Sequence, residues 1–140
     1  MKHFIITNNI EHFRESTVLP LDQEKTSTLR GFYEEMARVL EFPDYFSFNL
    51  DSLDEMLNDL SWLEDEKIVI FVQNSAHFLS KERNAKKVET IFDLLDASCE
   101  DWQWAEEDDD RPKKSLNFVF DDSPEIRQLL KKSELEFDIL

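Results

Sequence analysis

The run Ile68-Val69-Ile70-Phe71-Val72 constrains this chain more than any other feature. It is continuously apolar and rich in β-branched residues, the pattern of a strand covered on both faces. Helical stripes flank it. Upstream, Leu29, Phe32, Tyr33, Met36 and Leu40 recur at spacings of three and four and predict a helix over 27–40. Downstream, Val88, Ile91, Phe92, Leu95 and Cys99 form a second stripe, within a helix near 81–98. Phe4 to Thr7 and Leu116 to Phe120 read as further strands, and Thr17 to Leu21 as an extended segment that Pro20 confines to an edge. Pro43 marks a break after the first helix. Another helix is expected from about 49 to 60, capped by Asn49. Asp122-Ser123-Pro124-Glu125 starts a terminal helix that carries Ile126, Leu129 and Leu130. Alternation of this kind predicts an α/β fold with a small parallel sheet and right-handed crossovers.

No internal repeat or linker interrupts the chain, so residues 1–140 are expected to form one domain. A chain of this size buries roughly two-thirds of its unfolded surface and needs no metal or disulfide to hold it together. Twelve phenylalanines predict an aromatic core. Gly31 is the only glycine, which excludes the glycine-dependent phosphate loops. Cys99 is the only cysteine, so no disulfide forms within the chain, as suits a reducing compartment. No apolar run is long enough to span a bilayer, and the apolar stretch in Met1 to Thr7 is too short for a signal peptide. These features together predict a cytoplasmic protein.

Charge narrows the partners. Sixteen Lys and Arg face thirty-two Asp and Glu, a formal net charge of −16. Phosphate backbones and anionic membranes repel such a chain, so direct nucleic-acid binding and membrane attachment are not expected, whereas a basic protein partner is. Acidity can also serve solubility alone, so its distribution decides. From Val39 to Glu66 there is no Lys or Arg, yet there are nine acids: Glu41, Asp44, Asp51, Asp54, Glu55, Asp59, Glu64, Asp65 and Glu66. On a helix over 49–60, Leu50, Leu53, Met56, Leu57 and Leu60 share one face. Asp51, Asp54, Glu55, Asn58 and Asp59 share the other. Asp51 with Glu55, and Glu55 with Asp59, are like-charge pairs that each destabilise an isolated helix by about 0.2–0.5 kcal/mol. Asp59 also lies where the helix dipole disfavours an anion. Local electrostatics that work against an element are expected at functional sites. Tyr45, Phe46 and Phe48 precede this helix and Trp62 follows it. Core packing is expected for three of these aromatics, and Tyr45, with its polar tip, is the best candidate for exposure.

The segment Pro43-Asp44-Tyr45-Phe46-Ser47-Phe48-Asn49-Leu50-Asp51-Ser52-Leu53-Asp54-Glu55-Met56-Leu57 resembles the signature of the barstar family. That signature is a proline, an acid, a tyrosine, an aromatic, a glycine, any residue, then Asn-(Leu/Trp)-Asp-Ala-Leu-x-Asp. Asp59-Leu60-Ser61-Trp62-Leu63 looks like the turn that follows it in many bacterial barstar-like proteins. The resemblance covers residues 27–80 well and 81–120 in outline. It implies a three-stranded parallel sheet packed with helices, and an intracellular inhibitor of secreted or delivered ribonucleases. Two departures stand out. Ser47 replaces the family glycine, which implies a strained left-handed backbone there. Glu55 replaces the key helix aspartate, which implies a partner pocket unlike that of barnase. On the third helix, Asp96 and Glu100 are the candidate substitutes for family contacts, and Leu94 occupies one aligned position.

Enzymatic chemistry finds no support. His3, His12 and His77 have no mutual ligand spacing, no Gly-x-Ser-x-Gly elbow exists, and Cys99 extends an apolar stripe. The acids fan over a broad face without the loop carbonyls that Mg²⁺ or Ca²⁺ would need. The expectation is a non-enzymatic protein without cofactor or metal, monomeric when free. Its partner-binding residues are Tyr45, Phe46, Asn49, Asp51, Asp54, Glu55, Asn58, Asp59 and Trp62. It would act as an immunity protein against a basic ribonuclease toxin, the anionic helix imitating substrate phosphates. The alternative is an acidic interaction module, or nucleic-acid mimic, that binds a non-nuclease basic protein. The run Glu106 to Asp110, followed by Arg111-Pro112-Lys113-Lys114, is expected to be a solvated loop before the last strand.

Overall fold

The computed structural model describes residues 2–106 and 113–140, so most of the 106–114 stretch lies outside the described residues. Among these residues, five strands form one wholly parallel sheet: β1 (Phe4–Ile6), β2 (Thr17–Leu21), β3 (Lys67–Val72), β4 (Ser115–Phe120) and β5 (Phe137–Ile139), in the order β2-β3-β4-β1-β5. The expected α/β class and parallel pairing hold, but the sheet has five strands rather than three. Thr17–Leu21 pairs along its full length with Thr17 opposite Ile68, and Pro20 is tolerated because β2 is an edge strand. β5 arises after a left-handed residue, Glu134 (φ 58°), turns the chain back beside β1.

Among the described residues, four helices connect the strands: α1 (Leu29–Val39), α2 (Leu50–Asp59), α3 (Ala85–Trp104) and α4 (Pro124–Lys132). Each begins at a side-chain cap, Thr28, Asn49, Asn84 and Ser123 respectively, which accepts from backbone N–H groups of the first turn. The helices cover one face of the sheet. There, Phe4, Ile6, Ile68, Ile70, Val72, Leu116, Phe118 and Phe120 join the apolar stripes of the helices in the main core. The other face buries Ile5, Val69 and Val119 beneath Phe13 and Ile10, which belong to a short 3-10 turn between β1 and β2. Connection handedness explains this asymmetry. The β1 to β2 connection runs across the sheet in the opposite sense to all the others, so a right-handed crossover puts it on the opposite face. Phenylalanine rings fill the main core as expected: Phe78 lies 5.6 Å from Phe120 and 5.9 Å from Phe92, in edge-on geometry. No helix among the described residues is long and apolar enough to cross a membrane.

Candidate functional site: the acidic face of α2

The turn that delivers the chain to α2 is built from aromatic packing and backbone capture. Phe46 is buried at 6% exposure between Phe42 (centroids 4.8 Å) and Phe48 (4.7 Å). This differs from the expected surface role for Phe46: its ring anchors the turn from below and leaves no face to a partner. Ser47 donates its N–H to the Ser52 hydroxyl at 3.0 Å, and Asn49 accepts from the Ser52 N–H at 2.8 Å. The Asn49 side chain is therefore committed to the cap, although the residue is exposed. The left-handed residue is Phe48 (φ 52°), not Ser47, so the strain expected at Ser47 falls one position later. The Arg30 guanidinium lies over the Phe48 ring at 4.1 Å. A cation from α1 thus borders a surface whose own segment has none.

The apolar side of α2 packs inward through Leu53, Met56 and Leu57, which are all but fully buried. Asp51, Asp54, Glu55 and Asp59 point outward and are exposed. Among the described residues, no Lys or Arg forms an ion pair with any of them. The half-buried Asn58 donates its side-chain amide to the Asp54 carboxylate at 2.9 Å and to the Asp54 main-chain oxygen at 2.8 Å. Asp59 accepts from the Ser61 N–H at 3.3 Å. Tyr45 is 64% exposed at the entrance to the helix. Trp62 is half-buried and donates its indole N–H to the Leu40 carbonyl at 2.7 Å, which ties the exit of α2 to the end of α1. Asp65, one of the nine acids, accepts from the Thr17 hydroxyl at 3.0 Å and serves the fold.

Two residues that hold α2 and the connection after it do not stand out in the sequence. Trp102 of α3 donates its indole N–H to the Leu57 carbonyl at 2.7 Å. Its position, three residues beyond Cys99 on the same stripe, was a signal for burial but not for this bond. Lys114, only 3% exposed, donates its ammonium to the Leu63 and Asp65 carbonyls at 2.7 Å each. Burial lowers its pKa, against the charges of Asp65 and Glu66. Nothing in the local sequence distinguishes this lysine from its neighbour Lys113. Trp102 thus supplies a donor to a helix end that carries no basic residue of its own, and Lys114 fixes the connection from α2 to β3. Asp96 and Glu100, the candidate substitutes on α3, are turned toward β1. The His3 ring lies 2.7 Å from Asp96 and 3.3 Å from Glu100, on the flank of α3 away from the Leu57 contact. Among the described residues, no group of three or more His, Cys, Asp or Glu is placed to hold a metal ion.

Fold and site together define a class: a single-sheet parallel α/β protein that displays an uncompensated acidic helix. The family model described as Barstar (barnase inhibitor) matches residues 16–121. The chain belongs to the barstar family. That description is of an inhibitor with a protein partner, not of an enzyme. No curated protein sequence matches the chain significantly. Among solved structures, it is similar to the Aeropyrum pernix ORC2 protein in its ADP form, with a TM-score of 0.55 at 14% identity. The match covers 99% of this chain and 41% of that one, so this chain spans less than half the length of that protein. At such identity the likeness concerns the fold alone.

Proposed function

We propose that this chain is an immunity protein that inhibits a basic ribonuclease by laying the acidic face of α2 over its active site. The observation that carries this reading is the set of four exposed carboxylates without cation partners among the described residues, on a helix held at its far end by Trp102 and followed by a connection pinned by Lys114. A helix so held offers its charges without first having to order them, which lowers the cost of association. Asp51, Asp54, Glu55 and Asp59 would take the places of substrate phosphates. Tyr45 would pack at the rim, Trp62 and Asn49 would keep the helix in register, and Asn58 would orient Asp54.

Glu55 lies between Asp51 and Asp59 on this face and is the sharpest test. Losing one member of a buried, hydrogen-bonded charge pair costs about 2–5 kcal/mol, mostly as faster dissociation. Glu55→Ala also removes two like-charge pairs and should leave the fold as stable as before, or slightly more so. The partner should be captured, assayed for RNA cleavage, and used to measure dissociation from wild type and Glu55→Ala. Thermal unfolding of the same variant separates binding from folding. Glu11→Ala, an exposed acid on the opposite face of the sheet, is the control. Equal effects of the two substitutions would mean that acidity acts only as a general field. A captured basic partner without nuclease activity would favour an acidic interaction module instead.

A further inference from the structure

The end of α3, like the end of α2, is poorly matched to its own dipole. Glu100 and Asp101 stand near its C-terminus, and no basic residue occupies its last turn. The missing positive charge comes from outside the helix, at His3. The His3 side chain is only 15% exposed, and its Nδ1 lies 2.7 Å from an Asp96 carboxylate oxygen. Its Nε2 lies 2.9 Å from the Gln103 side-chain oxygen and 3.3 Å from a Glu100 carboxylate oxygen. Trp104 donates its indole N–H to the other Glu100 oxygen at 2.8 Å, which orients that carboxylate. Carboxylates only accept, and a neutral imidazole donates from one nitrogen alone. Whichever tautomer the neutral ring takes, one of its lone pairs meets a carboxylate. The cluster is therefore complete only around imidazolium.

The surroundings offer no substitute charge. Among the described residues, Lys2 is the one cation bordering the cleft, and it is paired with Glu136 at 2.6 Å. Glu136 and Asp138 add negative charge from the β5 side. β4 holds the His3 main chain, through the Phe118 N–H at 3.0 Å, and places no charged side chain in the cleft. The turn that His3 grips also carries Trp102, the donor to the Leu57 carbonyl of α2. Gln103 and Trp102 are neighbours in the chain, so one flank of this turn is tied to β1 and the other to the exit of the acidic helix. We propose that His3 is a pH-sensitive clasp: as imidazolium it fixes the last turn of α3 and, through Trp102, the exit of α2, and on losing its proton it loosens both. Burial opposes the charge on the ring, but the hydrogen bonds to Asp96 and Gln103 and the charges of Asp96 and Glu100 outweigh it, and the His3 pKa is raised. The clasp is thus closed at and below the unfolded value of about 6.5 and opens as pH rises through the raised one. His3 is a positioning residue that acts on α2 through α3, and the clasp does not depend on what α2 binds.

The test uses the full chain alone, labelled with ¹⁵N, between about pH 5.5 and 8.5. Hydrogen exchange is followed at the Trp102 indole N–H and at the main-chain amides of residues 57–60 and 101–105, and corrected for its intrinsic dependence on pH. Protection should fall several-fold across the range, with the midpoint at which the His3 ring resonances titrate. His3→Gln should abolish this dependence and hold protection at its high-pH level throughout. Asp96→Asn removes an acceptor and a charge from the ring, and should move both the ring midpoint and the protection midpoint to lower pH. A ring that only packs would shift neither. The proposal is overturned if corrected protection at Trp102 is flat across the range, or if His3→Gln keeps the pH dependence. It is also overturned if Asp96→Asn leaves the protection midpoint in place, or if protection follows the ring titration of His12 or His77 instead. No partner is present in these measurements, so their failure would leave the ribonuclease reading standing.

Discussion

Phe48 holds a backbone conformation that glycine adopts more easily. For an L-residue this costs about 1–2 kcal/mol. The ring recovers a comparable amount: an aromatic pair contributes about 0.5–1.5 kcal/mol and a surface cation–π contact about 0.5–1 kcal/mol. Phe46 and Arg30 supply those contacts. The family signature places a glycine at the position of Ser47, and from the pattern alone a strained backbone is expected there. The strain is one residue later, because Ser47 spends its N–H on Ser52 and Phe48 makes the reversal into the cap. Ser47→Gly should therefore bring no relief. It should cost about 0.5–1 kcal/mol through the added freedom of the unfolded chain. A urea midpoint for Ser47→Gly above that of wild type would show that the left-handed residue had been misplaced.

Among the elements, those with long periodic stripes were legible in advance. Helices α1, α2 and α3, and strands β3 and β4, lie where spacing and β-branching put them, and Pro124 opens α4 as the cap signal predicts. β5 was not legible, because Phe137–Ile139 is short and its pairing depends on β1, far away in the chain. The acidic face of α2 was readable from the sequence, since it depends on i,i+4 geometry within one element. The donors that hold α2 and the connection after it were not, since Trp102 of α3 and Lys114, just before β4, are brought there by tertiary packing alone. Histidine 3 illustrates the same limit: it had no visible ligand spacing, yet it joins β1 to α3 through Asp96 at 2.7 Å and Gln103 at 2.9 Å. Burial of the ring opposes its charge, but these hydrogen bonds and the charges of Asp96 and Glu100 outweigh it, and the pKa is raised. Lys2, just before β1, and Glu136 and Asp138 in and before β5 border the same cleft. A raised folded-state pKa means that this bridge stabilises fully below the unfolded value of about 6.5 and that its contribution is lost as pH rises through the folded value. His3→Gln should therefore destabilise more at about pH 5.5 than at about pH 8.5. Equal destabilisation at both would show that the ring acts by packing alone.

At the scale of the whole molecule, a net charge of −16 attracts any basic surface, and α2 concentrates that attraction on one face. With a Debye length of about 10 Å at 0.1 M, raising ionic strength from about 0.05 to 0.5 M should slow association with a basic partner about tenfold and change dissociation much less. Stopped-flow association curves that ignore salt would remove steering from the account. The fold also has an uneven construction: β1 lies between β4 and β5, with Phe4 opposite Phe118 on one side and Phe137 on the other. On a ribosome, β1 therefore waits for neighbours made more than a hundred residues later. At about 5–20 residues per second that interval is roughly 6–23 s. Throughout it, Phe4-Ile5-Ile6, which ends fully buried, is an apolar nascent segment without its sheet. β1 is thus a place where a chaperone would act to advantage, and where slow translation would expose the protein to aggregation.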